Sequence, residues 1–279
     1  MLIGAGRVGT AVTALLQRSG HHILGVASRS PASASRAAGL LAAPVVEVGD
    51  MPMAEVVLLG VPEGALGEVA SEVAAQARTK IVCHFAGVAG IGPLSPVLDA
   101  GMLAAALHPV QACPDVETAI RRLPGSAWGV TTSPEISAWA HEVITRDLHG
   151  EPVDVEERHR PLWHAAAATT ANGIAALLSL AGAMLADIGI EQPGGVLGPL
   201  AAGVLAGATT AGGTGQTLTG PVARGDAMTV RAHVEALRSQ APDLLEAYRA
   251  AAATILLAAV RTEDIGPATE NTIRAALEG

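Results

Sequence analysis

Gly4-Ala5-Gly6-Arg7-Val8-Gly9 reads G-x-G-x-x-G, and its setting decides the fold. The apolar residues Met1-Leu2-Ile3 run into it, and Val8, Val12, Leu15 and Leu16 follow at helical spacing. A glycine loop between strand and helix is the fingerprint of a dinucleotide-binding βα unit. The first glycine permits the tight turn, the second lets the backbone approach a pyrophosphate, and the third lets the helix pack close to the sheet. Phosphate would rest on the free N–H groups of the helix N-terminus, where the helix dipole favours negative charge. Gly4, Ala5, Gly6, Arg7, Val8 and Gly9 are therefore read as cofactor-binding. The plain alternative is an ordinary glycine-rich turn. Only three residues precede Gly4, where a strand usually runs about 5–6. Either the first strand is cut to a stub or the natural start lies upstream.

The next apolar run, residues 23–27, ends about 20 residues past the loop, where an acidic residue would bind the ribose 2′-hydroxyl of NAD. This chain carries Ser28-Arg29-Ser30 there. Hydroxyls and a cation suit a 2′-phosphate, which favours NADP over NAD. Ser30 also precedes Pro31 as an N-cap precedes N1, and capping leaves Arg29 available.

Further strands are expected at residues 44–48, 56–62, 81–87, 102–107, 127–131 and 153–155, with a helix over 65–78. The run at 56–62 is continuously apolar, as expected of a parallel strand buried on both faces. Alternating strands and helices give a doubly wound, mostly parallel α/β sheet with right-handed crossovers. Ligands of such sheets bind at the C-terminal strand ends. Those ends carry Val61, Pro62 and Glu63, then His84, then His108 and Gln111. Val61, Pro62 and His84 are read as cofactor-binding. His108 is a candidate catalytic group, because Pro109 biases the backbone before it toward an extended form. Any one of these histidines could equally be a hydrogen-bonded structural residue. Ser133-Pro134-Glu135 looks like a helix start with Ser133 as its cap.

The charged run Glu156-Glu157-Arg158-His159-Arg160 marks a boundary, beyond which strand signals vanish. The division is a domain over 1–156 and an all-α domain over 157–279. Two uncharged stretches, 165–186 and 193–223, raise the membrane question, and the mean hydropathy is positive at +0.40. A span needs about 20 predominantly apolar residues. The first stretch is mostly Ala and Thr with Asn172 inside it, and the second is broken by Pro and Gly. They read as a buried core helix and a tightly packed glycine-rich segment, with no membrane. His164 and Asn172 share one helix face at two steps of four, a lined cleft or a hydrogen-bonded core face. Residues 216–226 end in Gly220-Pro221-Val222-Ala223-Arg224-Gly225-Asp226. Asp226 is placed to cap the next helix. Arg224, at the end of an uncharged segment, needs an anion: substrate, cofactor phosphate or Asp226. Helices around 230–239 and 244–260 close the chain and could pair across a dimer.

Composition narrows the classes. The 279 residues suffice for two domains, and the net charge is −9 with a single lysine, Lys80. Sixteen arginines form no basic stripe, so nucleic acid is not expected as a partner. Two cysteines, Cys83 and Cys113, cannot build a disulfide framework or a multi-cysteine zinc site. No signal-peptide layout is present. These readings favour a reducing cytoplasm and no metal.

The motifs together resemble a bacterial family that joins an NADP-binding Rossmann-like domain to a helical DUF2520 domain. The matching residues are Ile3 to Gly9, Gly60-Val61-Pro62, His84 to Gly87, His108-Pro109, Trp163-His164-Ala165-Ala166, Asn172, and Leu218 to Pro221 with Arg224-Gly225-Asp226. The family is similar in build to ketopantoate reductases, pyrroline-5-carboxylate reductases and prephenate dehydrogenases, and the resemblance implies a reductase-like architecture without a substrate. One departure matters: no lysine follows Lys80, and the only tyrosine, Tyr248, lies near the end. A lysine acid is excluded, so a histidine must supply any proton, at an ordinary pKa near 6.5.

The expected function is an NADP-dependent oxidoreductase acting on a small, anionic carbonyl or imine held between the domains. His108 or His164 is the acid, Asn172 orients the reacting group, and Arg224 anchors the anion. The chain would form a homodimer through its helical domain. The alternative is an NADP-binding sensor or regulator without turnover. Use of a deazaflavin is disfavoured by Ser28-Arg29-Ser30.

Overall fold

A computed structural model describes residues 1–76, 78–209 and 218–279. Two compact units emerge, Met1–Ala171 and Asn172–Gly279.

The first unit is built on seven strands: β1 (Leu2–Ile3), β2 (Val26–Ala27), β3 (Ala54–Leu59), β4 (Thr79–His84), β5 (Leu103–Pro109), β6 (Ala127–Thr132) and β7 (Glu151–Asp154). Their order is β2-β1-β3-β4-β5-β6-β7. All neighbours are parallel except β5 and β6, which run antiparallel. Helices α1 (Arg7–Arg18), α2 (Pro31–Leu41), α3 (Leu66–Gln76), α4 (Ser95–Asp99), α5 (Val116–Arg122) and α6 (Ser137–Glu142) connect them. Side chains alternate across the strands, so each face builds its own core. Leu2, Leu58 and Cys83 pack with α1 residues Val12 and Leu15 on one face. Ile3, Val57, Leu59 and Val82 pack with α3 residues Leu66, Ala70 and Val73 on the other. This is the Rossmann-like, doubly wound α/β sheet expected.

Several local readings are corrected. Residues 44–48 form no strand: Val45 makes a single bridge to Val26, and the chain then turns into a 3-10 segment, Val48–Asp50. Pro44 has no N–H to continue a ladder. His108 and Pro109 lie inside β5, not beyond it, and His108 pairs with Gly129. Ser133 makes no capping bond with its side chain, whose Oγ instead accepts from the Ala104 N–H at 3.1 Å and ties β5 to the loop after β6. The Ser30 cap does form: its Oγ accepts from the Ser33 N–H at 3.3 Å, with Pro31 at N1.

A long helix, α7 (Arg160–Asp187), begins in the first unit and continues into the second. The second unit adds α8 (Pro193–Ala208), α9 (Ala227–Gln240), α10 (Leu245–Arg261) and α11 (Pro267–Glu278). Val230, Val234, Leu237, Leu256, Ile273 and Leu277 form its core. Asp226 caps α9, accepting from the Thr229 N–H at 3.1 Å, as the sequence suggested. The expectation of a buried helix over 165–186 is overturned, and so is that of a packed segment for residues 193–208; residues 210–217 of the stretch 193–223 lie outside the described residues. Residues 193–208 are helical, and Leu177, Leu178, Val196, Leu200 and Val204 are exposed in the single chain. Among the described residues one helix, 157–187, is long and apolar enough to cross a membrane by length and composition. Of the stretch 216–226, Gln216 and Thr217 lie outside the described residues, as does Ala77 of the helix expected over 65–78.

Candidate functional site

The strand order reverses at β1, which is flanked by β2 and β3. A cavity of about 900 Å³ opens there, at the C-terminal strand ends. Open α/β sheets bind ligands in this crevice. Gly4 to Gly9, Ser28 to Ser30, and Val61 and Pro62 all line it.

The glycine loop is locked against a fourth glycine, Gly60, just past β3. Gly4 has φ +88°, and a Cβ on it would stand 2.6 Å from Val61 Cγ1. A Cβ on Gly6 would be 2.7 Å from the Gly60 carbonyl oxygen, and one on Gly9 2.8 Å from the Gly60 Cα. All three glycines are therefore required by the protein's own backbone packing, whatever the ligand. Gly6 is the N-cap of α1 and has no side chain to cap it. The first N–H groups of α1 thus lack intrahelical partners and face the cavity, the arrangement that holds phosphate. Arg7 reaches across to the Pro114 carbonyl at 3.0 Å. Gly60, quoted in the sequence only as part of the family motif, also lines the cavity, as do Ser33 and Cys113, which were not read as site residues. Arg36, which donates to Ser33 Oγ at 3.0 Å, adds a second cation beside Ser28-Arg29-Ser30. A dinucleotide suits this cavity: a phosphate cradle at the helix end and a cationic, hydroxyl-rich corner past β2.

His84 does not reach the cavity wall. It is fully buried. Its Nδ1 accepts from the Ala86 N–H at 3.1 Å and its Nε2 meets the Gly90 carbonyl at 2.7 Å. Both ring nitrogens hold the turn after β4. Burial, the largest cause, pushes its pKa down to about 4.

That turn leads from the cavity to the other two histidines. Phe85 and Ala86 line the cavity. At Gly87, the next residue, a Cβ would overlap the His164 ring and stand 2.9 Å from His108 Nε2. The two rings meet edge to face with centroids 5.5 Å apart. Trp163 Nε1 donates to His108 Nδ1 at 3.1 Å. Burial, then the charges of Arg160, His164 and His84, push the His108 pKa down to about 4. The structure therefore brings His108 and His164 together, with Gly87 as the residue that makes room.

Arg160 was read only as part of a boundary. It is fully buried, and its guanidinium donates to the carbonyls of Ala86, Gly129 and Ala89 at 2.7, 3.0 and 3.2 Å. It fastens the start of α7, and so Trp163 and His164, to the turn after β4 and to the middle of β6. Glu157 helps by accepting from the N–H groups of Ile91 and Gly92 at 2.8 and 3.1 Å. A charged run before a helix reads as solvated surface, and nothing in its spacing marks one arginine as buried.

Asn172 and Arg224 belong to the second unit. Asn172 is exposed on α7. Arg224 is exposed too, and donates to the Thr219 carbonyl rather than to Asp226. Among the described residues no group of three or more His, Cys, Asp or Glu could hold a metal ion.

Two family models match the chain. The Rossmann-like domain family matches residues 1–109, and the domain of unknown function DUF2520 matches residues 126–255. The chain's fold is similar to a candidate NADP oxidoreductase from Bacteroides fragilis, at 21% identity over 91% of this chain and 96% of that one, with a TM-score of 0.73. It is also similar to the prephenate dehydrogenase of Aquifex aeolicus, at 18% identity over 66% and 71% of the chains and a TM-score of 0.52. A pyrroline carboxylate reductase from Plasmodium falciparum, solved with NADP bound, aligns at 10% identity over 98% and 97%, with a TM-score of 0.62. No curated protein matches the chain.

Proposed function

We propose that the protein is an NADP-dependent oxidoreductase acting on a small, anionic carbonyl or imine compound. One observation carries the reading. The phosphate cradle of the switch-point cavity leads, through Phe85, Ala86 and Gly87, directly to a pair of histidines. Residues 4–9 hold the pyrophosphate on the α1 N-terminus, and Ser28, Arg29 and Ser30 hold the adenosine 2′-phosphate. NADPH, when bound, supplies the hydride. His164 gives the proton that the reduced carbonyl oxygen or imine nitrogen takes up. His108 is held neutral by its surroundings and does not serve as the acid. Asn172 and Arg224 are the second unit's candidates for orienting the reacting group and anchoring the anion. The fold likeness to a reductase solved with NADP supports the cofactor class.

We further propose that the active form is a homodimer in the cytoplasm. The apolar residues displayed by α7 and α8 suit a second copy of the chain better than water, because monomers rarely expose large contiguous apolar patches. The free cysteines Cys83 and Cys113 suit a reducing compartment.

The test is NADPH consumption, followed by absorbance, against a panel of small 2-oxo acids and cyclic imino acids. Turnover with at least one, abolished in H164A, supports the reading. NADPH bound but consumed with no compound of either class contradicts it and leaves a binding protein.

A further inference from the structure

The hydrogen bond between Trp163 and His108 has only one possible direction. An indole N–H donates and cannot accept. It lies 3.1 Å from His108 Nδ1. That nitrogen must present its lone pair, so the proton of the neutral ring sits on Nε2. Nε2 faces Gly87, where a side chain would stand 2.9 Å away and overlap His164. The proton-bearing edge of His108 is thus directed at the Gly87 backbone, beside the His164 ring.

The surroundings oppose a second proton on the ring. The titratable groups that act on His108 are Arg160, His164 and His84, and each repels added positive charge. Arg160 meets three carbonyls and no carboxylate through its hydrogen bonds. Glu157 and Glu63 act on Arg160, and both Glu157 oxygens are taken by backbone N–H groups.

We propose that His108 is a catalytic hydrogen-bond donor, held as the neutral Nε2–H tautomer by Trp163, that polarises the substrate's C=O or C=N group while His164 supplies the proton. The chemical role rests on the oxidoreductase reading; the tautomer does not. In the step, carbon gains the hydride that the nicotinamide supplies and the C=O or C=N π bond breaks. The oxygen or nitrogen gains the proton of protonated His164, which is left neutral. The Nε2–H of His108 stays on His108 throughout. A neutral imidazole can steady charge developing on a substrate atom without transferring its proton, as in the known case of triosephosphate isomerase. Trp163 is a positioning residue: it acts only through the ring it orients.

The experiment is long-range 1H–15N correlation NMR of the full-length protein labelled in histidine, from pH 8 to pH 5, with H108Q used for assignment. The expected result is a His108 signal of the Nε2–H form, unchanged down to pH 5. In W163F the ring becomes a mixture of tautomers and its midpoint rises by about one pH unit, because a bond favouring the neutral form is gone. A wild-type Nδ1–H tautomer, or a His108 already protonated at pH 6, overturns the proposal, and this readout does not depend on W163F folding. No cofactor enters the measurement, so failure of NADPH to bind would sink the oxidoreductase reading while leaving the tautomer result standing. With a turned-over substrate, H108F should lower kcat about 100-fold and leave the alkaline limb of the pH profile, where the acid loses its proton, in place. Loss of that limb in H108F would make His108 the acid and overturn the assignment.

Discussion

A methyl group at Gly87 would overlap the His164 ring, so this glycine separates two properties that most site residues mix. G87A should displace His164 and lower turnover by about 100-fold, the scale set by a misplacement of about 1 Å. NADPH affinity should hardly change, because Gly87 lies outside the cavity lining. Calorimetric binding alongside steady-state rates would show this, and equal loss of both would contradict it. Arg29 makes the complementary test. A charge-assisted bond is worth about 1.5–3 kcal/mol, so R29A should weaken NADPH roughly 10- to 100-fold. NADH, which lacks the 2′-phosphate, should be left as it was. An equal effect on both nucleotides would mean that Arg29 does not read that phosphate. Of these residues, the sequence displays the loop glycines and Arg29, because their role is local. It hides Arg160, whose partners are remote in the chain.

At the scale of elements, the turn after β4 depends on a buried histidine. The His84 pKa lies near 4 in the folded protein and near 6.5 when unfolded. Between those values the unfolded chain binds the extra proton. The stabilisation from neutral His84 is therefore complete above pH 6.5 and is lost as pH falls toward 4. At pH 5 the loss is about 2 kcal/mol. Denaturant midpoints measured from pH 7 to pH 5 should fall, with His108 adding a loss of the same sign, and H84N should remove about half of that dependence. A wild-type stability constant over that range would contradict the assignment. Most elements were legible from period and punctuation, and the strands at 56–62, 81–87 and 127–131 appear with shifted ends. The valines at 44–48 misled because a strand needs a ladder as well as a propensity. Pro44 and the edge position leave Val45 one bridge.

At the scale of the whole molecule, the uncharged stretches of α7 and α8 are where sequence reading was least secure. Their apolar content signals burial and says nothing about which chain does the burying. In the single chain Leu177 is 52% exposed and Leu200 66%. Sedimentation should show a dimer at micromolar concentration without detergent, and a monomer for the double variant L177D and L200D. A wild-type monomer in that experiment would refute the dimer. Recovery only in detergent would assign the same faces to lipid.

The central claim is that residues 4–9 and 28–30 hold NADPH. Isothermal titration of the purified protein with NADPH, and in parallel with NADH, tests it most directly. The account predicts one NADPH bound per chain, with NADH at least about tenfold weaker. Failure of both nucleotides to bind would contradict it, and binding of NADH as tight as that of NADPH would overturn the assignment of Ser28, Arg29 and Ser30.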